Sequence, residues 1–311
     1  MTDFEDRDIE QNARLFQAAI SARHIDLPAV EVKRMLIALD GSNQDRAVLD
    51  LSRAVATRLN AEILLTYAFE APQTDEKHER YLTERLESLN AQGFAAKSSR
   101  AEQGARAYRQ ILALARPDDL IVTASPFLED YLDLEGASVG TTTDILLHRR
   151  AGPLLTVRKP AERVRARLED VVLPLHLCEE HDADAVAWAL RLVPEDGIVH
   201  LLAIVDDELL AEFSHLVGES FHPEDMSEET LAGLGHPHTA GLVAAAQRQA
   251  AEQGIDCRVT IRHGHLIPAI AEFVNEEPRL LVIGCDSTAA AGHYQRAAAL
   301  VRESANPVLV V

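Results

Sequence analysis

The sequence predicts an α/β protein made of two doubly wound halves in tandem, each a parallel sheet with helices on both faces. Three observations carry this. Short apolar runs alternate with helical patterns along the chain. The runs are apolar throughout rather than alternating, as in strands covered on both faces. The same landmarks also occur twice in the same order.

The elements follow in order. Residues 1–30 precede the first strand, and Ile9, Ala13, Phe16, Ala19 and Ile20 fit one face of a helical extension. "RMLIALD" is a buried strand ending in the turn residues of Asp40-Gly41-Ser42. "NQDRAVLDLSRAVATRLN" follows as a helix, with Ala47, Leu51, Ala54, Val55 and Leu59 at helical spacing. "AEILLTYAFE" is the next strand. "HERYLTERLESLNAQG" is a helix closed by Gly93. "RAYRQILALARPD" is another helix, and "DLIVTA" another strand.

The second half repeats the pattern. "VVLPLHLC" (Val171 to Cys178) echoes the first strand, "RLLVIG" echoes "DLIVTA", and "NPVLVV" echoes "GPLLTV". Asp40 aligns with His176, Ala124 with Gly284 and Pro153 with Pro307. These offsets place an insertion in the second half at about 206–238. The boundaries are therefore 1–30 for the extension, 31–160 for the first domain and 161–311 for the second.

Bulk properties narrow the function. The chain has 311 residues, a net charge of -20 and 47% hydrophobic residues. Such a composition supports packed cores. The acidity argues against nucleic acid and anionic membranes as partners. No apolar run reaches the ~18 residues that span a bilayer. The N-terminal stretch "MTDFEDRDIE" lacks the order of a secretory signal. Three widely spaced cysteines make no disulfide framework. The expectation is a cytoplasmic protein.

Three stretches carry a family resemblance. They are "LIALDGSNQDRAVLDLSRAVATRLNAEILLTYAF", "GHLIPAIAEFVNEEPRLLVIG" and "GTTTDILLHRRAGPLLTV". Each half resembles a universal stress protein domain, and the whole resembles a tandem universal stress protein. The resemblance implies five parallel strands per domain in the adenine nucleotide alpha hydrolase-like fold. It implies self-association or tandem pairing through the last strands, and other proteins as partners. It also implies ATP with Mg as a candidate cofactor of the first domain. In that family the nucleotide sits at an aspartate after strand one and a Gly-x2-Gly-x9-Gly-Ser/Thr segment after strand four.

Carried over residue by residue, the candidate cofactor-binding residues are Ala38, Asp40, Gly41, Ser42, Tyr67, Ala124, Gly140, Thr141 and Thr142. Glycines let backbone approach phosphates, and the first amides of a helix donate to them. Gly140 keeps the family's distance from Pro153. The two preceding glycines are gone, with Ala124 and Phe127 in their places. The intervening loop carries Glu129, Asp130, Asp133 and Glu135, which repel an anion unless a divalent cation intervenes. The plainer reading makes Gly140 a bend, Thr141 or Thr142 a helix cap, and Asp40 a turn residue bonding local amides. The second half has lost more, with His176, Ser287 and Tyr294 at the motif's positions.

Other chemistry has weaker support. His176, Cys178 and Cys285 fall near strand ends, where a soft metal or redox site competes with buried thiols and a satisfied histidine. The insertion carries His215, His222, His236 and His238 among carboxylates, as a metal or pH-responsive patch or a solvated acidic excursion. No Walker A sequence and no local nucleophile arrangement occurs. The expected function is that of a non-enzymatic stress-response regulatory or interaction protein. The alternatives are an ATP- or AMP-binding signalling module and a slow ATPase.

Overall fold

The computed structural model describes residues 25–68, 75–100, 105–128, 139–158, 168–177, 181–206, 227, 232–234, 236–285 and 291–311. The first half runs β1 (Arg34–Leu39), α1 (Asp45–Leu59), β2 (Glu62–Tyr67), α2 (Asp75–Ala91), β3 (Ala96–Arg100), α3 (Ala107–Leu114), β4 (Asp119–Ala124), α4 (Thr141–Arg149) and β5 (Leu154–Val157). The second runs β6 (Asp170–Pro174), α5 (Asp182–Leu192), β7 (Ile198–Val205), α6 (Pro237–Glu252), β8 (Asp256–His263), α7 (Leu266–Glu276), β9 (Leu280–Ile283), α8 (Ala291–Glu303) and β10 (Val308–Val310).

The ten strands of the described residues join one sheet, in the order β3-β2-β1-β4-β5-β10-β9-β6-β7-β8. Every pairing is parallel except that of β5 with β10, where Leu155 faces Leu309. The strand order of one half is thus the mirror sequence of the other, and two five-stranded parallel arrays become one continuous sheet. Because the central pairing is antiparallel, the carboxyl ends of β1 and β4 point opposite to those of β6 and β9. The strand-end sites of the two halves therefore open on opposite edges.

The central strands form for the reason their composition gives. Met35 to Leu39 and Leu120 to Val122 are fully buried between helical layers. Aliphatic side chains on both faces leave no face for water. α1 turns Ala47, Val48, Leu51, Val55 and Leu59 into the core. It ends at Asn60, whose φ of 55 stops the helix in the left-handed region. Gly93, with φ 90, likewise follows the end of α2.

Two strands escape the apolar-run rule. β3, "AKSSR", and β8, "DCRVTIRH", are the outer edges of the sheet. Half of each edge strand meets solvent, so polar residues are tolerated and discourage pairing with another chain. Residues 25–30 of the proposed helical extension are irregular. Pro28 disfavours helix at and before its position, and Ile25, Leu27 and Val30 pack on the core without one. The rest of that extension lies outside the described residues.

Side chains tie the halves together beyond β5 and β10. Arg58 on α1 donates to the carbonyls of Leu192 (3.1 Å) and Val193 at the end of α5. Arg150 donates to the carbonyls of Leu147 (3.1 Å) and Cys285 (2.6 Å). Tyr294 on α8 donates to the Asp144 carboxylate on α4. Tyr294 stands where the family motif has its last glycine, and here it serves the joint between halves.

The start of each central strand pair carries a partly buried ion pair, and its polarity is reversed between the halves. Arg34 on β1 donates to Asp119 on β4 at 2.9 and 2.5 Å. In the second half the acid is on β6, and Arg279 before β9 donates to Asp170 at 3.3 Å. Burial opposes ionisation of Asp170, yet His200 and Arg279 hold its carboxyl below the ordinary range. Asp119 is almost wholly buried, so Asp119→Ala would strand the Arg34 guanidinium. A loss of about 3 kcal/mol is expected in urea denaturation, against less than about 1 kcal/mol for Arg258→Ala at the exposed Arg258–Asp256 pair. Equal losses would contradict this account.

Candidate functional site

The candidate site lies where β1 and β4 end. β1 runs into the turn 40–44, and α1 begins at Asp45. Asp45 organises this turn. Its Oδ1 accepts the Asp40 amide at 3.2 Å, and its Oδ2 accepts the Gly41 amide at 2.8 Å. Tyr81 on α2 donates its hydroxyl to the same Oδ2 at 2.8 Å. A carboxylate in the first turn of a helix is well placed for amide donors. The second half repeats the device, since Asp182 in the first turn of α5 accepts the His176 amide at 3.2 Å.

Asp45 is nevertheless costly to ionise. Burial, with the neighbouring Asp40 carboxylate, pushes it up to about 7 despite the three donated hydrogen bonds. Burial also raises Tyr67 and Tyr81, reinforced by the same aspartate.

Gly41 is required by geometry. Its φ is 82, and a β-carbon there would collide with the Tyr67 hydroxyl. That hydroxyl donates to the Asp40 carbonyl at 3.1 Å. The Tyr67 and Tyr81 rings meet edge to face at 5.7 Å.

The Asp40 carboxylate turns the other way. Oδ1 accepts the Ser42 amide at 2.9 Å, closing an Asx turn. Oδ2 accepts the Leu128 amide at 2.6 Å, across the gap to the loop after β4. Leu128 has φ 65, which costs a branched side chain about 1–2 kcal/mol. A hydrogen bond to a carboxylate is worth about 1.5–3 kcal/mol, enough to hold it. Just before Leu128, Phe127 is buried in the core at 2% exposure.

The same loop meets the start of α4. Gly140 is the N-cap, with φ 79 and no side-chain cap. A β-carbon on Gly140 would lie 2.9 Å from Pro126 Cβ and 3.3 Å from the Phe127 nitrogen. The Ser125 hydroxyl donates to the Val139 carbonyl at 3.1 Å, closing the loop's neck. The reading of Thr141 or Thr142 as the cap is therefore corrected: the capping position is Gly140. Thr141 is exposed, while Thr142 and Thr143 point inward. Thr143 makes a long 3.5 Å contact to the Ala124 carbonyl.

The structure thus gathers the sequence-derived residues into two clusters. Asp40, Gly41, Ser42 and Tyr67 form the turn after β1. Gly140, Thr141 and Thr142 start α4, with Ala124 beneath. Pro126, Phe127 and Leu128 join the clusters. Ala38 is buried within the sheet between Thr66 and Thr123 and presents no polar group. The acidic residues of 129–138 lie outside the described residues.

In the second half, His176 adopts φ 63 and its ring packs beside Gly233. Gly284 answers to packing, since a β-carbon there would lie 2.5 Å from the His181 carbonyl oxygen. Cys285 is buried. Cys178, His215 and His222 lie outside the described residues. Among the described residues, no group of three or more His, Cys, Asp or Glu is arranged to hold a metal ion.

No protein-family model matches the chain. No curated protein matches it either. Solved structures do. A universal stress protein from Archaeoglobus fulgidus DSM 4304 superposes with a TM-score of 0.58 at 16% identity, covering 91% of this chain and 97% of that one. The fold is that of the universal stress proteins.

A second such protein, described as putative, from Pseudomonas aeruginosa UCBPP-PA14, gives a TM-score of 0.59 at 14% identity, over 90% and 93% of the two chains. The cytoplasmic domain of a prokaryotic cation chloride cotransporter gives 0.50 at 8%, over 90% and 95%. One fold thus serves a stress protein and a transporter domain, so function must be argued from the site. Among the described residues, no helix is long and apolar enough to cross a membrane.

The Asp45 shift has a testable consequence. Its folded pKa is about 7 against an ordinary 3.8, so the folded state holds a proton that the unfolded state releases. This contribution is full below about 3.8 and is lost as pH rises through about 7. The urea midpoint of the wild type should fall between pH 5 and pH 8 relative to Asp45→Asn, measured side by side. A difference that is flat or of opposite sign would refute the assignment.

Proposed function

We propose that this chain is a non-enzymatic regulatory or interaction protein of the universal stress protein type, in which the first half's nucleotide position is closed by the chain itself. One observation carries the reading. Both oxygens of the Asp40 carboxylate are engaged by main-chain amides, one of them from Leu128 in the loop after β4. The aspartate that would meet a nucleotide instead anchors that loop. Gly140 is likewise packed against Pro126 and Phe127, which gives it a structural reason apart from phosphate approach. The residues present fit ATP poorly, so no chemical step is assigned to it.

A second reading has one observation in its favour. α4 begins at a glycine with no side-chain cap and an exposed Thr141, and such helix starts suit phosphate groups. On this reading the first half is an ATP- or AMP-binding signalling module.

Thermal unfolding in ATP·Mg²⁺ separates the two. A ligand that binds only the folded state must raise stability, by about 2.7 kcal/mol at a hundredfold excess over Kd. The closed reading predicts a shift under about 1 °C at about 10 mM nucleotide. A dose-dependent rise, lost in Asp40→Ala and kept in His176→Ala, would establish the second reading instead.

A further inference from the structure

A groove lies on the outer face of the first half, between α1 and α2. Its volume is about 590 Å³, and the turn at 41–43 closes one end. That size suits a small organic ligand. Its lining includes Arg46 and Arg53 from α1 and Arg85 from α2. Arg46 and Arg53 are seven residues apart, so they share a helix face. In a chain with a net charge of -20, three guanidinium groups gather here against one lining carboxylate, Asp50.

The arginines are unequally committed. Arg53 is bonded to Asp50 and to Gln92 at 2.9 Å, which fixes the far end of the groove. Arg85 lies over the Tyr81 ring at 4.4 Å and 3.6 Å from Glu84. Arg46 is only 3.9 Å from Asp50 at its nearest, and its side chain is 83% exposed. Arg46 and Arg85 therefore offer two cationic forks from facing helices, one of them braced on an aromatic ring. The floor is apolar, made by Leu49 and Leu89, both buried. None of Ala124, Gly140, Thr141 or Thr142 lines this groove. It shares Gly41 and Ser42 with the turn after β1 and extends from there along the outer faces of α1 and α2.

We propose that the α1–α2 groove is a binding site for a phosphate monoester carrying a small apolar or aromatic group. A dianionic phosphate matches two guanidinium forks, which bind such oxygens bidentately. Leu49 and Leu89 take the apolar group, and Arg85 offers its open face for stacking.

Titration calorimetry of the full chain with phenyl phosphate tests this at low salt, where surface charge is least screened. Saturable binding is expected up to about 10 mM. Arg46→Ala and Arg85→Ala should each weaken it about tenfold or more, as befits a charge-assisted bond. Arg149→Ala, an exposed arginine on α4, should leave it unchanged. Benzyl alcohol, which keeps the ring and lacks the phosphate, should not bind. Arg46 is exposed enough for its variant to fold, and circular dichroism of each variant checks this. Absence of saturable binding, equal binding of benzyl alcohol, or binding unchanged in both variants would overturn the proposal.

Discussion

Asp40 accepts the Leu128 amide at 2.6 Å, and the upper surface of the first half depends on that bond. It joins the ends of two neighbouring strands, β1 and β4. It stabilises Leu128 in a backbone region that a leucine rarely occupies. Beside it Phe127 is buried in the core, and a β-carbon on Gly140 would press on Pro126. A carboxylate that could meet a ligand has become an internal cross-brace.

The brace rests on a second aspartate. Asp45 fixes the turn that presents Asp40, and its own ionisation is strained by burial and by its neighbour. The paired arrangement has parts with opposite electrostatic demands. Asp40 is answered by amides from two loops, while Asp45 is answered by amides and a tyrosine in a drier place. The second half keeps the helix-start aspartate, as Asp182, but puts His176 where the cross-brace would begin. The strand order of the first half recurs in mirror sequence in the second, while the strand-end chemistry does not recur.

Much of the frame was legible because buried parallel strands write themselves as apolar runs. "RMLIALD", "DLIVTA" and "RLLVIG" all became central strands. β3 and β8 were not legible, because edge strands need no apolar run. Residues 25–30 follow an irregular path that suits Pro28, while the helical pattern at Ile9 to Ile20 lies outside the described residues. At the site, the family resemblance named Asp40, Gly41, Tyr67 and Gly140, and these lie at or beside the ends of β1, β2 and the start of α4. It did not reveal that Leu128 reaches Asp40, because a main-chain donor leaves no mark in residue type. Asp45 was missed for another reason: an acidic residue in a first helical turn is common, and only its burial distinguishes it. Gly140 and Gly284 read as phosphate glycines, yet each has a packing reason in this chain.

The central claim is that Asp40 holds the loop after β4 closed over the strand ends. Amide hydrogen exchange at Leu128, followed in the wild type and in Asp40→Ala, tests it most directly. The account predicts strong protection of the Leu128 amide in the wild type and its loss in the variant, with the amides of β1 and β4 still protected. A Leu128 amide that exchanges freely in the wild type, or that stays protected without Asp40, would contradict it.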